Sequence, residues 1–289
     1  MRNKILITGS NGLLGLSLRN FFLNRNFFII ATGRGPDKFL NSPHLYLNLD
    51  IQSPEESEMI LAEYKPDIII NTAALTNVDY CETNQSKCLS VNSHSILNFT
   101  SYCRDYNPHF IHISTDFVFD GKQGDYREDD ICNPINYYGF SKLESEKIIS
   151  QNKFRSTIIR TSLVYSLNDD INNFASRCKI NLCKNEPLNI VDDQYRTPTF
   201  VDDLSQAICS VIEKEKYGIY HISSGEVLSI YQIVCNIARY WGFDSSLIQR
   251  VRSNQLQQQA SRPLNSSLSI DKSILELDFK PTILSKVLK

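Results

Sequence analysis

A tyrosine and a lysine stand four residues apart in Tyr138-Gly139-Phe140-Ser141-Lys142. On a helix, positions i and i+4 share a face. The Lys142 ammonium would then favour the tyrosinate and lower the Tyr138 pKa, which suits a general acid that protonates an alkoxide. The chain contains 14 tyrosines, and its lysine content yields about one such pair by chance, so the force of the pattern comes from its helical setting. A second set lies in His112-Ile113-Ser114-Thr115-Asp116-Phe117-Val118-Phe119-Asp120-Gly121. Thr115 follows an apolar run that reads as a strand, and its hydroxyl there could hydrogen-bond a reacting carbonyl oxygen. The plainer readings are a turn or cap for Ser-Thr-Asp and a surface pair for Tyr138 and Lys142.

A third set is the turn Gly9-Ser10-Asn11-Gly12-Leu13-Leu14-Gly15. It falls between an apolar run and an amphipathic one, where a diphosphate would meet close backbone and a helix N-terminus. Side chains at Gly9 and Gly12 would obstruct that approach, and Gly15 lets the helix pack on the strand. Asn11, Leu13 and Leu14 complete the cofactor-contacting set. The GxxGxxG spacing resembles that of extended short-chain dehydrogenases. After the second strand, an acid would select the ribose hydroxyl of NAD. The chain offers Thr32-Gly33-Arg34 and no acid before Asp37. Arg34 can pair with a 2′-phosphate, so NADP(H) is favoured, with NAD(H) the alternative and a solvated arginine the plainer reading.

The elements that must hold these groups alternate strand and helix. Strands are expected at Lys4–Thr8, Phe27–Thr32, Leu45–Asp50, Asp67–Asn71, His109–Ser114 and Thr157–Thr161. Helices are expected at Leu13–Asn24, from Pro54 to Tyr64, from Gln85 to Tyr106 and from Asn136 to Gln151. Ser53 caps the second helix, with Glu56 closing a capping box. The run around Ile68-Ile69-Ile70 lacks polar alternation, the mark of a strand buried on both faces. This rhythm predicts an α/β fold: a doubly wound parallel (Rossmann) sheet with a smaller C-terminal substrate lobe. Residues 1–165 are read as the dinucleotide-binding domain. Residues 166–289 are read mainly as the substrate lobe, with about 192–223 returning to the first domain. After a polar loop at 168–173, helices are expected at Val201–Lys214 and Ser229–Trp241, with a strand at Ile219–Ile222.

The net charge of −2 gives no electrostatic case for nucleic acid or an anionic membrane. The eight cysteines form no CxxC pair and have no nearby histidines, so they are read as reduced core residues, and no metal site is expected. The short apolar run at the N-terminus ends in glycine, unlike a signal sequence, and a cytoplasmic protein is expected. A homodimer is the commonest symmetric assembly.

These segments resemble the dTDP-4-dehydrorhamnose reductase family. The match runs through Gly9 to Gly15, Asn71-Thr72-Ala73-Ala74 with Val78-Asp79 and Glu82, Ser114 to Gly121 and Tyr138 to Glu146. It continues with Asn173-Phe174, Asp193-Gln194-Tyr195-Arg196-Thr197-Pro198-Thr199 and Arg262-Pro263-Leu264-Asn265. The resemblance implies a Thr115/Tyr138/Lys142 triad and reduction of a 4-keto-6-deoxy sugar nucleotide, in deoxysugar and surface polysaccharide biosynthesis. It implies that Asp50 and Ile51 contact adenine, that Ala73, Ala74, Tyr138 and Lys142 contact the cofactor, and that Asp116 and Phe117 face the sugar. Thr76, Asn173 and Arg196 are assigned to the substrate with them.

Two residues depart from the family. Leu163 stands where a tryptophan is usual, which opens the sugar stereochemistry to doubt. Arg196 stands where glycine is usual, to bind a diphosphate or to pair with a local acid such as Asp192. Arg177, Arg239, Arg250, Arg252 and Arg262 are candidate diphosphate partners, each read first as a solvated charge. Three rival functions share the fold. A sugar nucleotide 4,6-dehydratase would carry a second acid where Phe117 follows Asp116. An epimerase would prefer an acid near Arg34. An NADP-binding regulatory subunit like that of methionine adenosyltransferase is similar to the same family, and fold alone does not separate it from an enzyme.

Overall fold

A computed structural model describes residues 3–40, 42–168 and 172–287. Part of the polar loop expected at 168–173 therefore lies outside the described residues. The first half alternates β1 (Asn3–Thr8), α1 (Leu13–Phe21), β2 (Phe27–Gly33), β3 (Leu45–Asn48), α2 (Pro54–Tyr64), β4 (Ile68–Asn71), α3 (Val78–Thr83), α4 (Gln85–Asn92), α5 (Leu97–Tyr106), β5 (His109–Thr115), α6 (Tyr137–Asn152) and β6 (Ser156–Thr161). With the later strand Gly218–Ile222 these form one seven-stranded sheet, ordered from that strand through β6, β5, β4, β1 and β2 to β3. Every pairing in it is parallel. The sheet is doubly wound, as the strand–helix alternation requires.

Successive strand residues point to opposite faces, and both faces are covered. Ile5, Ile7, Ile68 and Ile70 pack with α1 and with α8 (Val201–Glu213, which follows α7, Phe174–Cys183). Leu6 and Ile69 pack on the other face with Leu61 of α2, Phe99 of α5 and Ile149 of α6. A smaller cluster holds α7 against α9 (Ile230–Tyr240), with Tyr165, Ala175, Ile233 and Ile237 buried between them. No helix among the described residues is long and apolar enough to cross a membrane.

Several local expectations are corrected. The helix expected across Gln85–Tyr106 is interrupted after Asn92, where the Ser93 backbone is distorted (φ −118°) and a 3₁₀ turn spans His94–Ile96. The cause is a set of polar ties to α6: Ser93 Oγ donates to the Ser141 carbonyl (2.6 Å) and Asn92 Nδ2 to Ser141 Oγ (2.9 Å). Side-chain bonds of this kind compete with the helix ladder. Helix α1 stops at Phe21 rather than Asn24, because Phe22 turns into the core, where it is 1% exposed. Ser53 caps α2 as expected, accepting from the Glu56 amide at 3.2 Å. Glu56 does not close a box, however, because the Ser53 amide already bonds the Asp50 carbonyl and the Glu56 carboxylate takes the Asp50 amide instead (2.8 Å each). All eight cysteines are free; five are buried, Cys132 and Cys235 are half-buried, and Cys183 is exposed.

Residues 260–268 run back across the first half of the chain. Arg262 grips Asp79 through both guanidinium nitrogens (2.9 and 2.6 Å). Pro263 fills the space beside Gly121, where a Cβ would lie 2.4 Å away. Ser266 Oγ donates to Asp116 Oδ2, and the Tyr126 amide donates to the Ser267 carbonyl at 2.9 Å.

Candidate active site

A cavity of about 710 Å³ opens at the carboxyl ends of the central strands, lined by Gly12, Leu13, Leu14, Thr115, Tyr138 and Lys142, and also by Arg196 and Arg262. Strand order reverses between β1 and β4, so the cavity lies at the switch point where doubly wound sheets bind ligands.

One end is the glycine turn. Gly9 has φ +67°, and a Cβ there would lie 2.7 Å from the Ala73 backbone. A Cβ on Gly15 would lie 2.5 Å from Ser10 Cα, so the turn and α1 close only with glycine at both positions. Gly12 is the N-cap of α1 and supplies no side-chain bond. The first-turn amides of Leu13 and Leu14 therefore have no cap, the usual state of a helix end that receives an anion. The turn fits a dinucleotide diphosphate.

Tyr138 and Lys142 lie on α6. Asn136 caps this helix, accepting from the Gly139 amide at 2.8 Å, and Glu82 accepts from the Tyr137 amide at 2.9 Å. Gly139 rests against the Phe117 carbonyl with no room for a side chain. Thr115 Oγ1 accepts from the Phe117 amide and donates to Asp116 Oδ1, each at 3.2 Å. The Phe117 and Tyr138 rings meet edge to face with centroids 6.0 Å apart. Lys142 is 2% exposed, and its Nζ lies 3.0 Å from His112 Nε2. Burial pulls the Lys142 ammonium down to about 8, with the Glu146 charge opposing. Burial pushes the Tyr138 phenol up, and the facing Thr115 hydroxyl partly offsets this. Glu146 itself forms a buried ion pair with Arg160 (2.7 Å) and accepts from Ser114 Oγ (2.5 Å), which locks α6 to β5 and β6.

Arg196 does not pair with Asp192. Its Nε lies 3.5 Å from Asp116 Oδ2, its Nη1 donates to the Tyr195 carbonyl (2.7 Å), and its guanidinium sits 5.1 Å from the Phe117 ring centroid. Asp192 faces Arg252 instead (3.4 Å). Burial raises the Asp116 carboxyl, and Arg196, Ser266 and Thr115 oppose the rise.

Of the residues singled out from sequence, Gly12, Leu13, Leu14, Ala74, Thr76, Thr115, Asp116, Phe117, Tyr138, Lys142, Asn173 and Arg196 all line the cavity. Asn173 also caps α7, accepting from the Ala175 amide at 2.9 Å. Gly9, Gly15 and Ala73 shape its wall from behind. Asn11, Arg34, Asp50 and Ile51 lie outside the lining, past the ends of β1, β2 and β3. Asn11 pins the loop after β2 by donating to the Pro36 carbonyl (2.9 Å) and accepting from the Lys38 amide (3.0 Å). Arg34 is exposed. Asp50 accepts from the Gln52 amide at 3.0 Å, and Ile51 is buried. Asp37, the first acid after β2, is held by buried Arg19 through two bonds of 2.6 and 2.7 Å. That bidentate grip holds its carboxyl below the ordinary range.

Gln258 has no role in the sequence reading, whereas Arg177 and Arg262 are candidate diphosphate partners there and Leu163 a departure at the sugar pocket. Arg177, Arg262, Leu163 and Gln258 line the cavity, although the two arginines were read first as solvated charges. His112, Glu82, Glu146 and Arg160 position the reacting groups from below. Their partners are 14 to 55 residues away in sequence, so no local spacing marks them.

The parallel sheet, the glycine turn and the Thr/Tyr/Lys set in one cavity define an extended short-chain dehydrogenase/reductase. The family described as RmlD substrate binding domain matches residues 2–288, and the chain belongs to it. It is 32% identical to a dTDP-4-dehydrorhamnose reductase of Aggregatibacter actinomycetemcomitans, over 99% of this chain and 97% of that protein. The crystal structure of a dTDP-4-dehydrorhamnose reductase from Bacillus anthracis in complex with NADP superposes with a TM-score of 0.89 at 28% identity, over 100% of this chain and 98% of that one. The chain is also 27% identical to methionine adenosyltransferase 2 subunit beta of Bos taurus, over 92% of this chain and 80% of that protein.

Proposed function

We propose that this protein reduces the 4-keto group of a nucleotide-linked 6-deoxy sugar with NADPH. The observation that carries the reading is the convergence of Thr115, Tyr138 and Lys142 with the glycine turn on one cavity that also holds arginines. NADPH supplies the hydride when bound. Gly9, Gly12 and the α1 amides would receive its diphosphate, and Arg34 its 2′-phosphate. The commitment of Asp37 to Arg19 removes the acid that would favour NAD, which supports this cofactor. Thr115 and Tyr138 orient the carbonyl, and Tyr138 gives its proton to the oxygen as charge develops there. Lys142 stabilises the tyrosinate that remains. Arg177 at the rim is suited to the sugar diphosphate, whereas Arg262 is held by Asp79. In this reading residues 1–165 hold the cofactor and 166–289 the sugar, with 192–223 returning to the sheet.

The test is NADPH oxidation by the purified protein against a panel of 4-keto-6-deoxy sugar nucleotides, with Tyr138→Phe alongside. Turnover of one panel member, abolished in Y138F, is the expected result. A folded protein that binds NADPH and turns over none of the panel would overturn the reading in favour of an epimerase or of an NADP-binding regulatory subunit.

A further inference from the structure

His112 lies on β5 beneath the cavity and is 0% exposed. Three side chains surround its ring. Asn71 of β4 lies 3.1 Å from Nδ1, Ser145 of α6 lies 2.9 Å from Nε2, and Lys142 Nζ lies 3.0 Å from Nε2. The Asn71 amide in turn hydrogen-bonds Thr8 Oγ1 at 2.5 Å, and Ser145 Oγ lies 2.6 Å from the Lys142 carbonyl. A continuous polar chain thus runs from the strand that feeds the glycine turn to the lysine of the YxxxK pair.

The chemistry of the contact is restrictive. An ammonium has three N–H donors and no lone pair, so the nitrogen it faces must accept. Nε2 is then the lone-pair nitrogen and the ring proton sits on Nδ1, accepted by the Asn71 oxygen; the amide is turned so that its nitrogen donates to Thr8 Oγ1, and the Ser145 hydroxyl proton points to Nε2. A protonated His112 could not make this contact. Burial and the Lys142 charge both hold the imidazole well below its ordinary value, so it stays neutral.

We propose that His112 is a positioning residue that accepts one of the three Lys142 N–H groups, holding Nζ at the cavity floor with its other two donors directed at bound cofactor. This rests on the reductase reading for its kinetic consequence but not for its binding consequence. Besides His112, the titratable groups acting on Lys142 are Glu146 on α6 and Cys88 on α4. Among these, His112 is the one that gives Nζ a hydrogen bond at the base of the sheet. Without that acceptor the buried ammonium loses support, and its proton leaves at lower pH.

The experiment compares His112→Gln with His112→Asn. A glutamine can place its carbonyl oxygen near the Nε2 position, whereas asparagine reaches only the Nδ1 position. Both are polar and smaller than or close to histidine in size, so the pair separates the Lys142 contact from general folding. Measured quantities are the NADPH Kd and the pH profile of kcat/KM. H112Q is expected to stay within about threefold of wild type in both. H112N is expected to bind NADPH roughly tenfold more weakly and to lose activity about one pH unit lower on the alkaline side, the size of one hydrogen bond to a charged group. Equal Kd values and coincident pH profiles for the two variants would overturn the proposal. If wild type turns over no sugar nucleotide, the functional reading fails on its own, and the Kd comparison still decides the role of His112.

Discussion

Gly139→Ala sets two physical effects against each other. Glycine inside a helix costs about 0.5–1 kcal/mol relative to alanine, so propensity alone makes G139A stabilising. The structure reverses the sign. A Cβ at this position would lie 2.0 Å from the Phe117 carbonyl oxygen, 2.8 Å from its carbon and 3.1 Å from Pro134 Cβ. Carbon–oxygen contacts of this type settle near 3.3–3.6 Å, so the loop and helix must part by about 1 Å or more. Overpacking of this kind costs typically about 1–3 kcal/mol. The net expectation is destabilisation of about 1–2 kcal/mol, or a Tm lower by roughly 2–8 °C for a chain of this size. The catalytic effect should be larger. Phe117 follows Thr115 by two residues and Gly139 adjoins Tyr138, so the displacement separates the two groups that must meet one oxygen. A misplacement of about 1 Å can cost roughly 10²-fold in rate. The assay is kcat for NADPH oxidation on the active panel member, with Tm from thermal unfolding. A G139A protein with raised Tm and undiminished kcat would refute the argument that this contact sets the spacing of Thr115 and Tyr138.

Other outcomes follow from the same geometry. Lys142, lowered to about 8, should give kcat/KM an alkaline limb near that pH, because the ammonium form is the working one. Its effect on stability has the opposite sign: the unfolded chain binds more protons between about 8 and the ordinary lysine value, so this group's contribution to stability rises with pH across that window, which pH-dependent denaturation of wild type and Lys142→Met will compare. Arg34→Ala should raise the KM for NADPH about tenfold and leave that for NADH unchanged; an equal rise for both cofactors would remove Arg34 from the 2′-phosphate. Glu146→Gln leaves the buried Arg160 without its charge partner, a loss of about 3–5 kcal/mol, and should lower Tm by roughly 10 °C.

The parts of the fold legible in the sequence were those set by local pattern. Ile68-Ile69-Ile70 announced a strand buried on both faces, and its isoleucines pack into the two separate cores. The glycines at 9 and 15 marked a turn that admits no Cβ. Tyr138 and Lys142 could be placed on one face of one helix because i and i+4 is itself a helical statement. What stayed hidden depends on partners distant along the chain. Nothing near Ser93 showed that Ser141 would draw it out of a helix 48 residues away. Asp192, the acid close in sequence to Arg196, lost to Asp116 because the strand end brings Asp116 and Phe117 together beneath the guanidinium. Arg262 resembled a surface charge until Asp79, 183 residues earlier, supplied its bidentate partner.

The return of residues 260–268 over the first half has a consequence for synthesis. Chains emerge from the N-terminus onward, and early units fold first. The seven-stranded sheet is complete in sequence once Ile222 has been made. Asp116, however, waits for Ser266, Asp79 for Arg262, and Gly121 for Pro263. A nascent chain thus carries a finished scaffold with an unfinished cavity until residues 260–268 leave the ribosome. Fragments ending before residue 260 should bind NADPH yet remain inert toward sugar, so activity waits for residues 260–268 to be made.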